Sequence, residues 1–406
     1  MELNVFMTSP VTRGWIEEVV RADLQENQQS NRAAQYFPRV FQDVTEIDKT
    51  IYSLAAPIIA ADVAPLSTGR TGEGIQEQRI RGSLIDSAAR YGFQGKKLEQ
   101  LRALLSIIES VPGDTVTLRN GVANRALDAY FGFMNTRVLQ PLYMNMNRKD
   151  WTLMRTGKAW QDGSRDDDFT RPPLISVYGT QQTTVVTAGS GTNIYGGADA
   201  DFFQDLQDTV NRAAARGWKI REVVMTSATR QTILGLTSTK TAVGGMSLNV
   251  VTGGQVEVQM QQGNATAEAF NSALAARDLP PVIVEDGVWR DQVRAEGDPA
   301  GPVGTFVTQK YVKDGEVILV PENSPEDDAF IQEEFLLSGL VDAPNPTAKG
   351  VHVVGRPTAQ DRGPRLYLFG PYYQEGENPS LTGSGIAAHM PFLAGPGGFE
   401  ILVYAR

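Results

Sequence analysis

The sequence predicts a mixed α+β protein, because segments with helical and with strand periodicity alternate along its 406 residues. Three observations support this fold class. The pattern predicts a long two-stranded hairpin near the N-terminus, then strong helical stripes, and then short strands that alternate with helices. With 41% hydrophobic and 21% charged residues, the chain is predicted to be globular and to bury two or three cores.

The N-terminal part is predicted to be extended. Residues 1–50 are interpreted as an N-terminal arm that contains one amphipathic helix, and residues 51–95 as an extended hairpin loop. An apolar run from Ile51 leads to a glycine-rich tip at residues 67–74, and a more polar strand returns. An isolated hairpin is only marginally stable in water, so we expect this arm to lie on another subunit.

Basic side chains gather on and beside this hairpin. Because the C-terminal part of the chain is acidic, we expect them to face acidic groups of an adjacent subunit. The predicted inter-subunit contacts are Arg70, Arg79, Arg81, Arg90, Lys96 and Lys97.

A long helix is predicted in the next segment, residues 96–200, which we interpret as a peripheral domain. The helix begins near Asn120 as a cap, holds an apolar stripe for about six turns, and is kinked or closed near Pro141. After Trp151 the pattern predicts short strands and loops, including a strand over residues 183–186. The predicted buried face of the helix consists of Leu127, Phe131, Met134 and Val138.

Residues 201–379 are interpreted as an axial domain with α/β layering. The periodicity predicts helices over 200–216 and 227–236, the second with Ser227 as its N-cap, and strands over 220–225 and 282–284. The segments 237–263 and 341–378 are candidate insertions. Residues 380–406 are predicted to return as C-terminal strands, the last over 399–404.

A hairpin is also predicted late in the chain. Alternating segments at 305–312 and 316–320 flank Lys313, Asp314 and Gly315. An Asp-Gly turn between alternating strands is a strong short-range hairpin signal.

Composition excludes several classes of function. The chain contains no Cys, which removes disulfides, thiol nucleophiles and thiolate metal sites. No window approaches the roughly 18 apolar residues of a membrane span, and the first residues lack the pattern of a signal peptide. The sequence therefore predicts a protein that is neither inserted in a membrane nor secreted.

The net charge of −10 comes from the C-terminal part. Residues 1–150 carry 17 Lys and Arg against 17 Asp and Glu, whereas residues 151–406 carry 20 against 30. A protein that grips nucleic acid takes its affinity from cations that neutralise phosphates. The acidic balance argues against such binding, although the chain can still enclose nucleic acid.

Few residues have a pattern typical of catalysis. Asp166, Asp167 and Asp168 could ligate a hard cation, but consecutive acids among Gly, Ser and Arg more often form a solvated loop. His352 and His389 lie on apolar segments without a carboxylate partner nearby in sequence, so both are interpreted as structural. No cofactor or metal site is predicted.

The order of parts resembles the major capsid proteins of tailed bacteriophages, and more specifically the lambda-type family within the HK97-like fold. The resemblance covers most of the chain in order and spacing, but each motif is a strand and turn pattern. The residues that carry it are YSLAAPII at 52–59, VIVEDGVW at 282–289, GEVILVP at 315–321 and AHMPFLAGPGGFEILV at 388–403.

This resemblance implies a structural protein, not an enzyme, that self-assembles into hexamers and pentamers of an icosahedral capsid around double-stranded DNA. It further implies scaffolding, portal and decoration proteins as separate partners, assembly in the host cytoplasm, and localisation in the virion. An encapsulin-like compartment, which shares the fold, stays open as an alternative. The alternative from another class is a metal-dependent hydrolase that uses Asp166, Asp167 and Asp168.

Overall fold

The computed structural model describes residues 32–53, 76–93, 138–156, 184–187, 201–243, 246–247, 261–262, 266–292, 306–339, 346–357, 366–374, 380–395 and 398–403. Its helices are α1 (Arg32–Tyr36), α2 (Gln140–Thr156), α3 (Phe202–Ala215), α4 (Ser227–Gly235), α5 (Thr237–Val243), α6 (Ala267–Ala275) and α7 (Pro325–Leu337). Its strands are β1 (Arg39–Phe41), β2 (Glu46–Ser53), β3 (Gln76–Ser83), β4 (Ile85–Phe93), β5 (Thr184–Thr187), β6 (Ile220–Met225), β7 (Met246–Ser247), β8 (Gln261–Gln262), β9 (Val282–Val284), β10 (Val288–Gln292), β11 (Phe306–Lys310), β12 (Glu316–Pro321), β13 (Gly350–Gly355), β14 (Tyr367–Gln374), β15 (Ser380–Leu393) and β16 (Glu400–Val403).

The chain forms two units, each with its own sheet. Unit 1 comprises residues 1–47, 81–150 and 332–392, and unit 2 comprises residues 48–80, 151–331 and 393–406. The fold is therefore mixed α+β, as the sequence predicts. Among the described residues, no helix is long and apolar enough to cross a membrane.

Unit 1 contains a five-stranded sheet in the order β1, β13, β15, β14, with β4 also paired to β15. β1 runs parallel to β13, so that Arg39 lies opposite His352. β14 and β4 are both antiparallel to β15. Apolar residues of α2 and of the segment before it pack with residues of the sheet; this cluster contains Leu139, Leu142, Tyr143, Met146, Val354, Leu366 and Ala387.

Helix α2 extends past the point at which the sequence predicts that the long helix is kinked or closed. The helix begins at Gln140 and continues to Thr156, whereas the pattern predicts that a helix closes near Pro141 and that loops follow Trp151. Proline is tolerated in a first helical turn because its missing N–H would have no intrahelical partner there. Val138 precedes α2 and is buried, but Leu127, Phe131 and Met134 lie outside the described residues.

The strands of the N-terminal hairpin are paired. β2 and β3 form a two-stranded sheet on either side of residues 54–75, which lie outside the described residues, as do most residues of the predicted N-terminal arm. After Leu84 the returning strand continues as β4, which joins the sheet of unit 1.

Unit 2 is built on a second five-stranded sheet, in the order β5, β16, β12, β6, β9. Strand β12 reads Glu-Val-Ile-Leu-Val-Pro and is buried along its whole length, as expected for a central strand covered on both faces. Helices α3 and α6 contribute Phe202, Phe203 and Phe270 to an apolar core with residues of β6 and β12.

The late hairpin prediction is wrong in its pairing. Gly315 does form a turn with φ of 89°, but β11 pairs with β10 and β12 pairs with β6 and β16. The Asp-Gly turn determines where the chain reverses its direction, whereas the burial of apolar side chains determines which strands pair. The apolar strand β12 belongs in the centre of a sheet, and the more polar β11 does not.

One smaller prediction also needs correction. The N-cap of α4 is Thr226, whose hydroxyl accepts from the Thr229 N–H, and Ser227 is the first helical residue. The candidate insertion 341–378 carries β13, a completely buried strand in the sheet of unit 1. Residues 332–379, which we interpret from the sequence as part of the axial domain, belong to the same compact unit as residues 81–150.

Candidate functional site

The least expected feature of unit 1 is a polar network buried in its interior. Helix α2 supplies the run Asn-Met-Asn-Arg-Lys-Asp over residues 145–150. Leu142 and Met146, four residues apart, anchor one face of the helix in the apolar cluster. This packing brings the side chains of Asn147, Lys149 and Asp150 into the interior, where each is at most 2% exposed.

Three hydrogen bonds link four side chains from four elements into a chain. Asp150 Oδ1 on α2 lies 2.6 Å from His352 Nδ1 on β13. His352 Nε2 lies 2.8 Å from His389 Nδ1 on β15, and His389 Nε2 lies 2.9 Å from Ser87 Oγ on β4. We call this set of four residues the histidine chain.

Cationic and amide side chains surround the histidine chain at both ends. At one end, Arg39 donates to Asp150 Oδ2 at 2.6 Å and to Asn147 Oδ1 at 2.7 Å. At the other end, Asn145 Nδ2 donates to Ser87 Oγ at 2.8 Å. Lys149 Nζ lies 3.4 Å from that hydroxyl oxygen and 3.5 Å from His389 Nε2.

Burial and neighbouring cations keep both imidazoles neutral. Burial, followed by the charges of Arg39 and Lys149, holds the pKa of His352 well below its usual 6.5. The pKa of His389 is lowered in the same way, by burial first and then chiefly by Lys149. Burial raises the pKa of Asp150 to about 7, even though the Arg39 guanidinium acts to lower it.

The network ties together elements that are distant in sequence. Asp150 and His352 are 202 residues apart, and Ser87 and His389 are 302 apart. Asp150, His352 and His389 are each 0% exposed, so a macromolecular substrate cannot reach them. The arrangement therefore joins α2 to three strands of the sheet, in agreement with the structural role predicted for both histidines.

Sequence reasoning missed this network because no local signal encodes it. Each histidine finds its partner on another element, and the polar run of α2 looks like the end of a helix. A usable signal is the spacing of Leu142 and Met146, which carries the helical phase into the polar run.

Unit 2 pairs buried carboxylates with arginines, and it contains neither of the two histidines of the sequence. Arg155 donates to both carboxylate oxygens of Glu316, at 2.5 and 2.7 Å. Glu400 is bound by Arg216 and lies 3.7 Å from Arg212 Nε. Burial raises the pKa of Glu400 against the lowering effect of these two arginines.

The predicted contact residues of the hairpin do not share one element. Arg79 and Arg81 belong to β3, and Arg90 belongs to β4, where its backbone lies opposite Ser384 of β15. Arg70, Lys96 and Lys97 lie outside the described residues, as do Asp166, Asp167 and Asp168. Within the described part of the chain, no group of three or more His, Cys, Asp or Glu could hold a metal ion.

The chain shares its fold with a solved phage protein. A prophage protein of Escherichia coli CFT073 that is assigned as its capsid protein aligns with a TM-score of 0.50 at 12% identity, covering 96% of this chain and 98% of that one. Also similar are a phage-related protein of Bordetella bronchiseptica RB50 (TM-score 0.44, 10% identity, 95% and 97% covered) and the capsid of Myoviridae phage XM1 (TM-score 0.35, 10% identity, 89% and 86% covered). No protein-family model and no curated protein matches the sequence.

Proposed function

We propose that this chain is a structural protein that assembles into a viral capsid. The observation that carries the proposal is the fold, which the chain shares over 96% of its length with the assigned capsid protein of an E. coli prophage. Capsid subunits act by self-association and not by catalysis, and buried networks that hold distant strands together fit that role.

The proposed architecture is the HK97-like one. Unit 1, with residues 140–150 of α2 and most of the long strand β15, corresponds to the peripheral domain, and unit 2 corresponds to the axial domain around the symmetry axis of hexamers and pentamers. Closed symmetry multiplies many modest interfaces into a stable shell. Scaffolding, portal and decoration proteins would be separate partners, and the assembled product would be the virion.

Assembly of the purified chain tests the proposal. The full-length protein is expressed alone, and its particles are examined by negative-stain electron microscopy and light scattering. Closed shells or tubes support the proposal. A stable monomer at high concentration contradicts it, and metal-dependent turnover that is lost on substitution of Asp166, Asp167 and Asp168 would favour the hydrolase. Shells that enclose a protein cargo and exclude DNA would favour an encapsulin-like compartment.

We further propose that the hairpin reaches over an adjacent subunit and that its basic residues contact acids there. The candidates are Arg70, Arg79, Arg81, Arg90, Lys96 and Lys97. Contacts of this kind steer association and weaken as salt screens them.

A triple variant tests the hairpin contact. Replacement of Arg79, Arg81 and Arg90 by Ala is expected to slow assembly at low salt, as followed by light scattering, while thermal unfolding of the subunit stays unchanged. The matched control replaces three exposed cations of unit 2, Lys219, Arg277 and Arg290, and is expected to assemble at the wild-type rate. Wild-type assembly kinetics in the hairpin variant at low salt would contradict the contact.

The capsid is proposed to enclose double-stranded DNA without binding it tightly. A net charge of −10 supplies too few cations for tight non-specific binding. The purified subunit is therefore expected to show no salt-sensitive affinity for duplex DNA in fluorescence anisotropy. Tight binding that falls steeply with salt would instead indicate a role in organising nucleic acid.

A further inference from the structure

The hydrogen bonds of the histidine chain can run in only two directions. A neutral imidazole has one donor nitrogen and one acceptor nitrogen. The proton on one nitrogen of His352 therefore fixes the role of its other nitrogen, and through the 2.8 Å contact it fixes the tautomer of His389.

In the first direction Asp150 is ionised. Its Oδ1 accepts from His352 Nδ1–H, His352 Nε2 accepts from His389 Nδ1–H, and His389 Nε2 accepts from the hydroxyl of Ser87. Lys149, which is also a donor, faces the same acceptor nitrogen at 3.5 Å. Every nitrogen of both rings then has a complementary partner.

In the second direction Asp150 has gained one proton. Its Oδ1–H donates to His352 Nδ1, His352 Nε2–H donates to His389 Nδ1, and His389 Nε2–H donates to Ser87 Oγ. Each ring keeps one proton and stays neutral. The two directions therefore differ by one added proton, which resides on Asp150.

We propose that the histidine chain is a one-proton switch, in which protonation of Asp150 reverses all three hydrogen bonds and changes His389 Nε2 from an acceptor into a donor facing Ser87 and Lys149. The geometry favours this route over charging a ring. A charged His389 would place an imidazolium nitrogen 3.5 Å from the ammonium nitrogen of Lys149, whereas protonation of Asp150 leaves both rings neutral.

The charged groups around the chain support the same route. Arg39 on β1 and Arg148 and Lys149 on α2 are buried cations, and their positive potential opposes a charged imidazole on β13 or β15. Arg39 also lowers the pKa of Asp150, but burial outweighs it and raises that pKa to about 7. The carboxyl group thus takes up the proton before either ring does.

The reversed direction leaves the Ser87 end less well satisfied. The hydroxyl oxygen then faces donors from His389, Asn145 and Lys149, at 2.9, 2.8 and 3.4 Å, although it has only two lone pairs. The hydroxyl proton of Ser87 can then no longer be donated to His389 Nε2. Acidification through neutral pH therefore weakens the connection between α2 and β4, whether or not the chain forms a shell.

Nitrogen NMR of the wild-type protein tests the proposal. The full-length protein is labelled with ¹⁵N-histidine and followed from pH 8.5 to 5.5, in solution or, if assembled, in the solid state. The ring signals of His352 and His389 are expected to pass together from the Nδ1–H to the Nε2–H tautomer in one transition near pH 7. An imidazolium signal from either ring in this range, or tautomers that do not change, would overturn the proposal.

An isosteric variant is expected to hold the histidine chain in the protonated direction at every pH. In Asp150→Asn the amide oxygen can accept from Arg39 while the amide Nδ2–H donates to His352, which reproduces the protonated direction without a titrating group. Both rings are expected to be Nε2–H at every pH. Retention of the Nδ1–H tautomer, or of the wild-type transition, would overturn the proposal, and the wild-type titration decides the question if this variant does not fold.

Asp43→Asn is the matched control. Asp43 also pairs with an arginine, Arg356 at 2.6 Å, but this pair is exposed. The control is expected to keep the wild-type tautomers and the wild-type transition. A control that shifted the transition as strongly as Asp150→Asn would overturn the assignment of the proton to Asp150.

Discussion

Units 1 and 2 each contain a five-stranded sheet, but different kinds of side chain occupy their interiors. Unit 2 packs the rings of Phe202, Phe203 and Phe270 with centroids 5.7 to 6.1 Å apart. Unit 1 places a carboxylate, two imidazoles and several cations beside its apolar cluster. The apolar interior is stabilised mainly by burial, whereas the polar interior depends on complete pairing of every donor and acceptor.

The two interiors should therefore respond differently to pH. Buried apolar side chains bind no protons, so the apolar core of unit 2 contributes the same free energy of folding at every pH. The histidine chain holds neutral imidazoles that would become charged in an unfolded chain, and its contribution must vary with pH. A buried polar network is weak evidence of stability, but it can select one arrangement of strands.

The largest effect is expected in the core of unit 2. Phe270 is completely buried, so Phe270→Ala should lower the free energy of unfolding by about 3 to 5 kcal/mol. Urea unfolding at pH 6 and at pH 8 should give the same loss. Val288→Ala is the control, because Val288 is 48% exposed and should change stability by less than about 0.5 kcal/mol. If the loss of unfolding free energy in Phe270→Ala differed strongly between pH 6 and pH 8, the proposed difference in pH response between the two units would be wrong.

The histidine chain of unit 1 should give the wild type a pH dependence near neutral pH, beside the contribution that the raised pKa of Glu400 makes in unit 2. The lowered pKa values of His352 and His389 add stability above pH 6.5, and this stability is lost as the pH falls, because the unfolded chain then binds two more protons. The raised pKa of Asp150 acts in the opposite sense between about pH 4 and 7, because the native chain binds one more proton there. The net difference is one proton, so stability should fall by about 1.4 kcal/mol per pH unit below pH 6.5.

Denaturant unfolding at several pH values measures this slope. His389→Gln removes one titrating ring and should reduce the slope toward zero, since the remaining His352 and Asp150 then oppose each other. A slope that is unchanged in this variant would mean that other groups carry the pH dependence.

A smaller effect is expected at the Ser87 end of the histidine chain. Ser87→Ala removes the hydroxyl that joins β4 to His389 and to Asn145, and it should cost about 1 to 2 kcal/mol at pH 8. The cost should shrink at pH 5.5, where the reversed chain already leaves this hydroxyl poorly satisfied. Thermal unfolding at both pH values checks the difference, and an equal cost at both would contradict the reversal.

The smallest effect is expected for the exposed pair of Asp43 and Arg356. Exposed ion pairs contribute about 1 kcal/mol or less, so Asp43→Ala should shift the urea midpoint only slightly, and less still in 0.5 M salt. A loss as large as that of Phe270→Ala would show that exposure is a poor guide to energetics in this protein.

The same contrast explains what could be predicted from the sequence. Helix α3 and strands β6, β9 and β16 are found where their periodicity predicts them, since apolar spacing is a local signal. The pairing of β11 was predicted wrongly because the Asp314–Gly315 turn encodes a reversal and not a partner. Sheet partners are selected by burial over the whole unit, which no short window contains.

The histidine chain could not be predicted from the sequence. The run at residues 145–150 has the composition of a solvated helix end, yet the structure buries it. Partners separated by 202 and 302 residues become neighbours only when the sheet of unit 1 is formed. The fold class, in contrast, followed from the order of elements alone.

The proposed capsid function is tested most directly by a cryo-electron microscopy reconstruction of the particles that the purified chain forms. We expect a closed shell or a tube in which each subunit contains both five-stranded sheets, and in which the hairpin of β2 and β3 lies over an adjacent subunit. A reconstruction of a small discrete oligomer, or of a shell whose hairpins all fold back on their own subunits, would contradict the proposed function.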